Sequence, residues 1–215
     1  MPYDPSPYLD PAKCALILFE CQEAVIGPET HLQGLRTDVL ERGMVDNIAG
    51  LLAAARESGV TVVYCNMAFR EDGLGAPNTP RSDNVPPAGP PGPPILSPVV
   101  EPLTPRPEEV VIERIHGMTT FHGTPIESVL RDGGVETIVP TGVSLNIGII
   151  ATTVEALGRG YRVAIARDCC AGDPSEYADN VYRNTLNNLA YLSNSQDIAK
   201  VWRSSNSPEG KNPSH

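Results

Sequence analysis

The stretch that decides the fold is ETIVPTGVSLNIGIIATTVEALGRGYRVAIARD, residues 136–168. Residues 136–142 form an apolar run typical of a buried strand, and residues 161–168 form a second one. Between them, residues 146–160 repeat apolar positions at helical spacing. The order strand, helix, strand is typical of a parallel sheet covered by helices, so the stretch predicts one βαβ unit.

The same alternation continues outward from this unit. Further strands are predicted at 14–20, 60–66 and 109–114, and further helices at 41–57, 123–134 and 175–193. The apolar segment 198–202 is predicted as a sixth strand. We therefore expect an α/β fold, a three-layer Rossmann-like arrangement in which a six-stranded, mostly parallel sheet has helices on both faces. Residues 1–205 are predicted to form one domain, and the polar residues 206–215 a flexible tail.

A proline-rich stretch interrupts this alternation. Residues 72–107 hold much of the chain's total of 22 Pro and include NVPPAGPPGPPILSPVVEPLTPRPEE. So long a loop inside a compact domain is commonly a lid, a binding loop or an extended arm that packs on a neighbouring subunit. A tolerated surface insertion explains it equally well, and the sequence leaves these alternatives open.

Composition argues against several classes of function. The 215 residues include 16 Lys and Arg against 26 Asp and Glu, so the basic footprint of a nucleic-acid-binding protein is missing. Apolar runs stay short of the roughly 20 residues that span a bilayer, and the Pro-rich, acidic start does not resemble a signal peptide. The five Cys lack zinc-ligand spacing, and four lie in strand-like apolar surroundings. We expect a cytoplasmic protein with reduced thiols, a small-molecule substrate, and no metal, cofactor, nucleic-acid or membrane partner.

Open α/β sheets bind ligands at the carboxyl ends of their strands. At those ends the sequence has Glu20, Asn66, the segment after Arg114, the turn after Gly142, and Asp168. The turn after Gly142 has the strand-to-helix geometry that often presents a nucleophile. It carries no Cys, and its hydroxyl, on Ser144, is not in a nucleophile-elbow motif.

Two segments resemble the isochorismatase-like cysteine hydrolases. ALILFECQEAVIG, residues 15–27, is similar to the first strand of that family, where Asp-x-Gln follows apolar residues. Residues 121–172 resemble its second half, with Phe-x-Gly-Thr, a Thr-Gly-Val turn, Ala-Thr, Gly-Tyr-x-Val and a closing Asp. The resemblance runs from about residue 14 to 202. It implies the six-stranded sheet, a homodimer or higher homo-oligomer, and a cis peptide between Val143 and Ser144.

The resemblance also implies a catalytic triad, from which this chain departs at every position. Amidohydrolases of the family use an Asp, a Lys and a Cys, whereas the Asp position here is Glu20 and the Cys position is Gly148. The Lys position falls on Ile115 when counted without a gap, and on Arg114 after a shift of one residue. Without the Cys no thioester can form there. TGVSLNIG is instead similar to the true isochorismatases, which carry Gly here and hydrolyse a vinyl ether with a general acid.

We therefore assign the catalytic roles to Glu20 and Arg114. Burial at a strand end would raise the pKa of Glu20, as a general acid requires; the structural alternative is a Glu that caps a helix or pairs with an Arg. Arg114 stays protonated and would hold a substrate carboxylate or a developing anion; its alternative is an exposed strand-end Arg. A close pair of the two would lower the pKa of Glu20 and oppose its role as an acid.

A set of substrate-binding residues is expected around this pair. The predicted members are Gln22, Arg70, His116, Phe121, Ser144, Asn146 and Gly148. The turn 144–148, at a helix N-terminus, would form a cradle for an oxyanion or a carboxylate. His116 would act as an acid or base near neutral pH, although a structural His is the commoner case. Gln22 is expected on the same strand face as Glu20, with Cys21 on the opposite face in the core.

The leading hypothesis is a hydrolase that acts without a Cys nucleophile on a small, carboxylated metabolite. Glu20 would assist hydrolysis of a vinyl ether or a related C–O or C–N bond as general acid. The alternative is a non-catalytic family member retained for ligand binding or assembly. A third hypothesis, an amidase with a relocated nucleophile, requires another Cys to reach the cleft.

Overall fold

The structure is a computed structural model that describes residues 3–80, 88–115 and 118–205. Within these ranges eight strands form one sheet. The strands are β1 Cys14–Phe19, β2 Thr61–Phe69, β3 Ile95–Leu96, β4 Val110–Arg114, β5 Thr137–Val143, β6 Arg162–Ala166, β7 Cys170–Ala171 and β8 Tyr191–Ser193. The helices are α1 Glu23–Ile26, α2 Gln33–Glu41, α3 Met44–Ser58, α4 Ile126–Asp132, α5 Ile150–Gly158, α6 Ser175–Asn184 and α7 Ser195–Ser205. A π-helical turn, Leu145–Ile149, leads into α5.

Seven of the strands run parallel, and six of them lie side by side in the order β4-β2-β1-β5-β6-β8. The predicted α/β class with a mostly parallel sheet is confirmed. The count of eight rather than six arises from two strands of only two residues each, because β3 pairs antiparallel with β2 and β7 pairs with β5. All six residues of β1, at the centre of the sheet, are buried.

Helices cover both faces of the sheet. Residues of α2, α3 and α7 pack on one face with Leu16 and Leu18 of β1. Residues of α4, α5 and α6 pack on the other face with Ile17 and Phe19. Successive residues of a strand point to opposite faces, so β1 contributes alternately to the two cores. The described helices lack the length and apolarity needed to cross a membrane.

The carboxyl-terminal part of the fold differs from the prediction. The segment 175–193, predicted as one helix, is α6 followed by a 3-10 turn and β8. The segment 198–202, predicted as the sixth strand, lies inside α7, and β8 takes the sixth parallel position. The buried residues of α7 include Ile198, Ala199 and Trp202, which share one side of a helix. Helix α2 was not predicted.

The end of the proline-rich stretch packs on its own chain. Residues 95 and 96 pair with β2, and Leu103 is fully buried. The Tyr64 hydroxyl donates to the Leu103 carbonyl at 2.8 Å, and Arg56 Nη2 donates to the Thr104 carbonyl at 3.1 Å. This end is therefore part of the domain, whereas residues 81–87 lie outside the described ranges.

Candidate active site

A cavity of about 230 Å³ lies at the carboxyl edge of the sheet. The polar residues that line it are Glu20, Ser144, Asn146 and Asp173, and Phe19 and Gly148 line it as well. Apolar side chains, among them Leu35, Met67 and Met118, complete the wall. Four larger depressions in the described part of the chain, of about 1070, 640, 420 and 330 Å³, contain neither Glu20 nor the turn after β5, although Asp168 lines the first of them. The small cavity is therefore the candidate site.

Glu20 occupies the point where the chain leaves β1. Its φ of 54° lies in the left-handed region, which is uncommon for residues other than Gly. Its N–H still donates to the Cys65 carbonyl of β2 at 3.1 Å. This backbone turn directs the carboxyl group into the cavity, with 17% of the side chain exposed.

Arg114, the last residue of β4, forms an ion pair with Glu20 through Nη2 and Oε1. Its guanidinium carbon also lies 4.4 Å from the centroid of the Phe19 ring. Arg114, rather than Ile115, thus faces the acid; Ile115 lies near Gly75 instead. The Arg114 side chain is only 2% exposed and does not line the cavity. The expected role as an anchor for a substrate carboxylate therefore needs correction, because the guanidinium lies behind Glu20.

The electrostatics of Glu20 combine two opposing effects. Burial raises its pKa, and the charge and hydrogen bond of Arg114 act to lower it. Burial is the larger effect, so the pKa of Glu20 lies above its ordinary value. The ion pair with Arg114 acts to lower the pKa of Glu20, as predicted, but the effect of burial is larger.

Gly148 leaves no room for a side chain. A Cβ placed on it would lie 2.8 Å from Cζ and 3.2 Å from Cδ1 of Phe19, with Cε1 closer still. The Phe19 ring, 1% exposed, fills the space that a side chain at residue 148 would need.

The cysteines lie away from the cavity. All five are free and buried, and none belongs to the cavity wall. Burial raises the pKa of Cys65 to about 11, even with Arg114 nearby to lower it. Cys21 lies in the core, as predicted, and does not line the cavity. A relocated thiolate nucleophile has no support from this arrangement.

The turn after β5 forms one side of the cavity. The peptide between Val143 and Ser144 is cis, which confirms the prediction. Ser144 Oγ lies 3.1 Å from Asn146 Oδ1, and Asn146 Nδ2 donates to the Asp173 carbonyl at 3.1 Å. The N–H groups of Ile147 and Ile149 donate to the Ser144 carbonyl. Ser144, Asn146 and Gly148 are thereby brought together with Glu20, as the sequence predicted.

Gln22 does not reach the cavity. Its Nε2 donates to the carbonyls of Met67 and Ser97 at 3.0 and 2.8 Å, and its Oε1 accepts from the Met67 N–H at 2.7 Å. The side chain is 1% exposed and ties the end of the proline-rich stretch to β2. Its predicted placement assumed an unbroken strand, and the left-handed backbone of Glu20 breaks the alternation.

The remaining predicted residues lie elsewhere. Arg70 pairs with Asp72 at 2.6 Å outside the cavity. Phe121 is buried beneath the Arg159 guanidinium, 4.7 Å from its ring centroid, and packs in the core. His116 lies outside the described residues. Asp168 accepts from the Ser195 N–H and Oγ at 2.8 and 2.6 Å and so caps α7.

Sequence reasoning missed Phe19, Asp173 and the apolar side chains of the cavity wall. Phe19 was assigned only to the strand, and Asp173, which follows β7, was not singled out. An aromatic residue just before an acid at a strand end indicates a cavity residue only when Gly148 is known to lie next to its ring. Within the described residues, groups of three or more His, Cys, Asp or Glu that could hold a metal ion do not occur.

Comparison with known proteins decides the family. A family model described as Isochorismatase domain matches residues 14–197. The chain belongs to the isochorismatase family. Ureidoacrylate amidohydrolase of Methylobacterium radiotolerans is 30% identical over 180 residues, which cover 75% of this chain and 68% of that protein. Maleamate amidohydrolase of Pseudomonas putida is 30% identical over 140 residues, covering 61% of this chain and 63% of that protein.

Solved structures agree with this isochorismatase-family fold. A cysteine hydrolase from Pseudomonas syringae superposes with a TM-score of 0.74 at 21% identity, covering 95% of this chain and 96% of the other. At that identity the likeness shows the fold alone. An isochorismatase family protein from Desulfovibrio vulgaris has a TM-score of 0.73 at 26% identity, covering 89% of this chain and 98% of the other.

Proposed function

We propose that this isochorismatase-family chain is a hydrolase of a small metabolite that works without a Cys nucleophile, with Glu20 as general acid. One observation carries the proposal. The Glu20 carboxyl group, its pKa raised by burial, faces a small cavity across from a glycine that has no space for a side chain. A buried carboxylic acid is suited to give a proton, and Gly148 has no side chain that could act as a nucleophile.

For a vinyl ether, the chemistry needs only Glu20 and water. The Glu20 proton goes to the terminal alkene carbon, which leaves an oxocarbenium ion. Water adds to that ion, and the resulting hemiketal breaks its C–O bond to release a carbonyl compound and an alcohol. The proton released by water returns to the Glu20 carboxylate. For an amide or carbamoyl C–N bond, the same acid would protonate the leaving nitrogen as water adds to the carbonyl carbon, the C–N bond would break, and the proton lost by the water would return to the Glu20 carboxylate.

Two other groups support this role. Arg114 pairs with Glu20 and does not line the cavity, which supports a role in positioning the carboxyl group without contact to the substrate. The turn at Ser144–Gly148 begins a helical segment that continues through α5, so its positive end is directed to the cavity wall. A carboxylate on the substrate would be received there rather than by Arg114.

The test is turnover of a panel of small vinyl ethers, isochorismate among them, and of amides and carbamoyl compounds. We expect wild type to hydrolyse at least one member, and Glu20→Gln to lose about 100-fold or more of kcat, the usual size of general-acid catalysis. Glu29→Gln, which removes an exposed carboxylate outside the cavity, is the matched control and should keep full activity. Equal turnover by wild type and Glu20→Gln would overturn the proposal.

A second candidate function is ligand binding without catalysis. The observation that favours it is the ion pair itself, because a carboxylate held by Arg114 is a poorer proton donor than a free acid. Tight binding of a panel compound, measured by calorimetry, without turnover by either variant would establish this alternative.

A further inference from the structure

Phe19 joins three parts of the site through one ring. The edge of the ring formed by Cδ1, Cε1 and Cζ abuts Gly148 at the start of the helical segment. The face of the ring carries the Arg114 guanidinium, 4.4 Å from its centroid. Phe19 also lines the cavity beside Glu20 and is 1% exposed. None of the roles assigned above accounts for an aromatic ring at this position.

The ring and the glycine depend on each other. With 1% exposure and a cation on its face, the ring cannot swing away at low cost. A side chain at residue 148 would therefore overpack the site. Conversely, a smaller residue at position 19 would leave a void beside Gly148 and remove the surface on which Arg114 rests.

We propose that Phe19 is a positioning residue of this site: its ring takes the space above Gly148, closes the cavity with an apolar floor and holds Arg114 in place to pair with Glu20. The proposal deepens the function proposed above and rests on it for the role of Glu20. The packing of Phe19 and its effect on Arg114 are measured without any substrate, so these tests remain valid if no compound is hydrolysed.

The packing is tested by a double-mutant cycle of thermal unfolding. Gly148→Ala in the wild-type background should lower Tm by about 5 °C or more, the range expected for overpacking a core. In the Phe19→Ala background the same substitution should lower Tm by less than about 2 °C, because the ring that blocked it is gone. Gly158→Ala is the matched control, since a Cβ there meets no atom within 4 Å. Additive effects at residues 19 and 148 would overturn the packing claim; if Phe19→Ala fails to fold, Phe19→Leu takes its place in the cycle.

The positioning claim has its own readout, the titration of the Glu20 carboxyl carbon by NMR. In the described chain the charged or titratable groups near it are Arg114, Cys65 and Cys21, with Asp173 on the cavity wall. Phe19→Ala removes the surface on which Arg114 rests, so the rise in the Glu20 pKa caused by Arg114→Leu should be smaller in the Phe19→Ala background than in the wild-type background. Phe19→Tyr, which keeps the ring, should leave that rise near the wild-type value. An equal rise in the two backgrounds would show that the ring does not hold Arg114 in place.

Discussion

In the proposed mechanism Glu20 is the residue on which the chemistry depends, and its surroundings shift its pKa in opposite directions. Burial in a cavity of about 230 Å³ raises its pKa, and the Arg114 guanidinium opposes that rise. The ion pair holds the Glu20 carboxyl group in one position. The cavity provides an apolar wall on one side and the polar turn after β5 on the other.

Replacing Arg114 by Leu should raise the pKa of Glu20 further, since the charge and the hydrogen bond that lower it are removed. The direction in which stability changes with pH follows from the linkage between protonation and folding. A carboxyl group whose pKa is higher in the folded than in the unfolded state stabilises the fold below its unfolded pKa, and this contribution is lost as pH rises through the folded pKa. The loss of free energy of unfolding in Arg114→Leu should thus grow with pH, to about 3 kcal/mol once Glu20 is charged.

Urea unfolding at a series of pH values measures this difference. Arg203→Leu, which removes an exposed ion pair with Glu57, is the control and should show a small change with little pH dependence. A pH-independent loss in Arg114→Leu would mean that Glu20 does not titrate as described.

At the residue scale, the sequence predicted the site in part. Glu20 and the turn after Gly142 were indicated because the carboxyl ends of parallel strands meet at one edge, and Gly148 was singled out by the resemblance to the family. Gln22 was misplaced because the positive φ of its neighbour cannot be read from a strand pattern. The packing of Phe19 on Gly148 could not be predicted either, because it joins residues 129 positions apart that only the assembled sheet brings together.

Among the elements, the end of β5 carries the strictest backbone requirement. Gly142 has a φ of +101°, and a Cβ there would meet the Phe19 carbonyl oxygen and lie 3.0 Å from Cys21 Sγ. Gly142→Ala should therefore lower the free energy of unfolding by about 2–4 kcal/mol. Chemical denaturation measures the loss. Gly158→Ala, in open space within α5, should be neutral or slightly stabilising, and equal effects at the two sites would refute this explanation.

The segment around Ser97 is attached to the sheet edge by one side chain. Gln22 makes three hydrogen bonds to the backbone of Met67 and Ser97. Gln22→Ala leaves those buried groups without partners and should cost about 2–4 kcal/mol. We also expect faster amide hydrogen exchange in residues 95–100, measured by mass spectrometry. Gln196→Ala, at an exposed position of α7, is the control; unchanged exchange near Ser97 would argue against the attachment.

Element types were predictable where the apolar pattern was long. The strands and helices that the sequence indicated from β1 to β6 are all present, whereas α1, α2 and β3 were not predicted. The strand predicted at 198–202 was wrong, because a run of five residues is too short to distinguish a strand from a buried helix. The buried spacing of Ile198 and Trp202 shows its helical character only when the flanking residues of α7 are included.

At the scale of the molecule, α5 presents an apolar outer face. Ile147, Val154 and Leu157 are exposed by 45, 51 and 36%, and they lie on one side of the helical segment beside the cavity. The predicted homodimer or higher homo-oligomer rests on the resemblance to the family, and we expect this face to lie in its interface. Val154→Glu should then lower the mass measured by size exclusion with light scattering, whereas Glu29→Gln should leave it unchanged. An oligomer that persists in Val154→Glu, or a monomeric wild type, would contradict this prediction.

The central claim concerns the whole site: a buried Glu20, acting without a Cys, gives the proton. Its most direct test is the pH dependence of kcat/KM for whichever panel compound is hydrolysed. A general acid works in its protonated form, so we predict that kcat/KM falls as pH rises through the pKa of Glu20, at a pH above the ordinary carboxyl value. Glu20→Gln should remove that limb together with about 100-fold or more of the activity. A profile that rises with pH, or a wild-type profile retained in Glu20→Gln, would contradict the account.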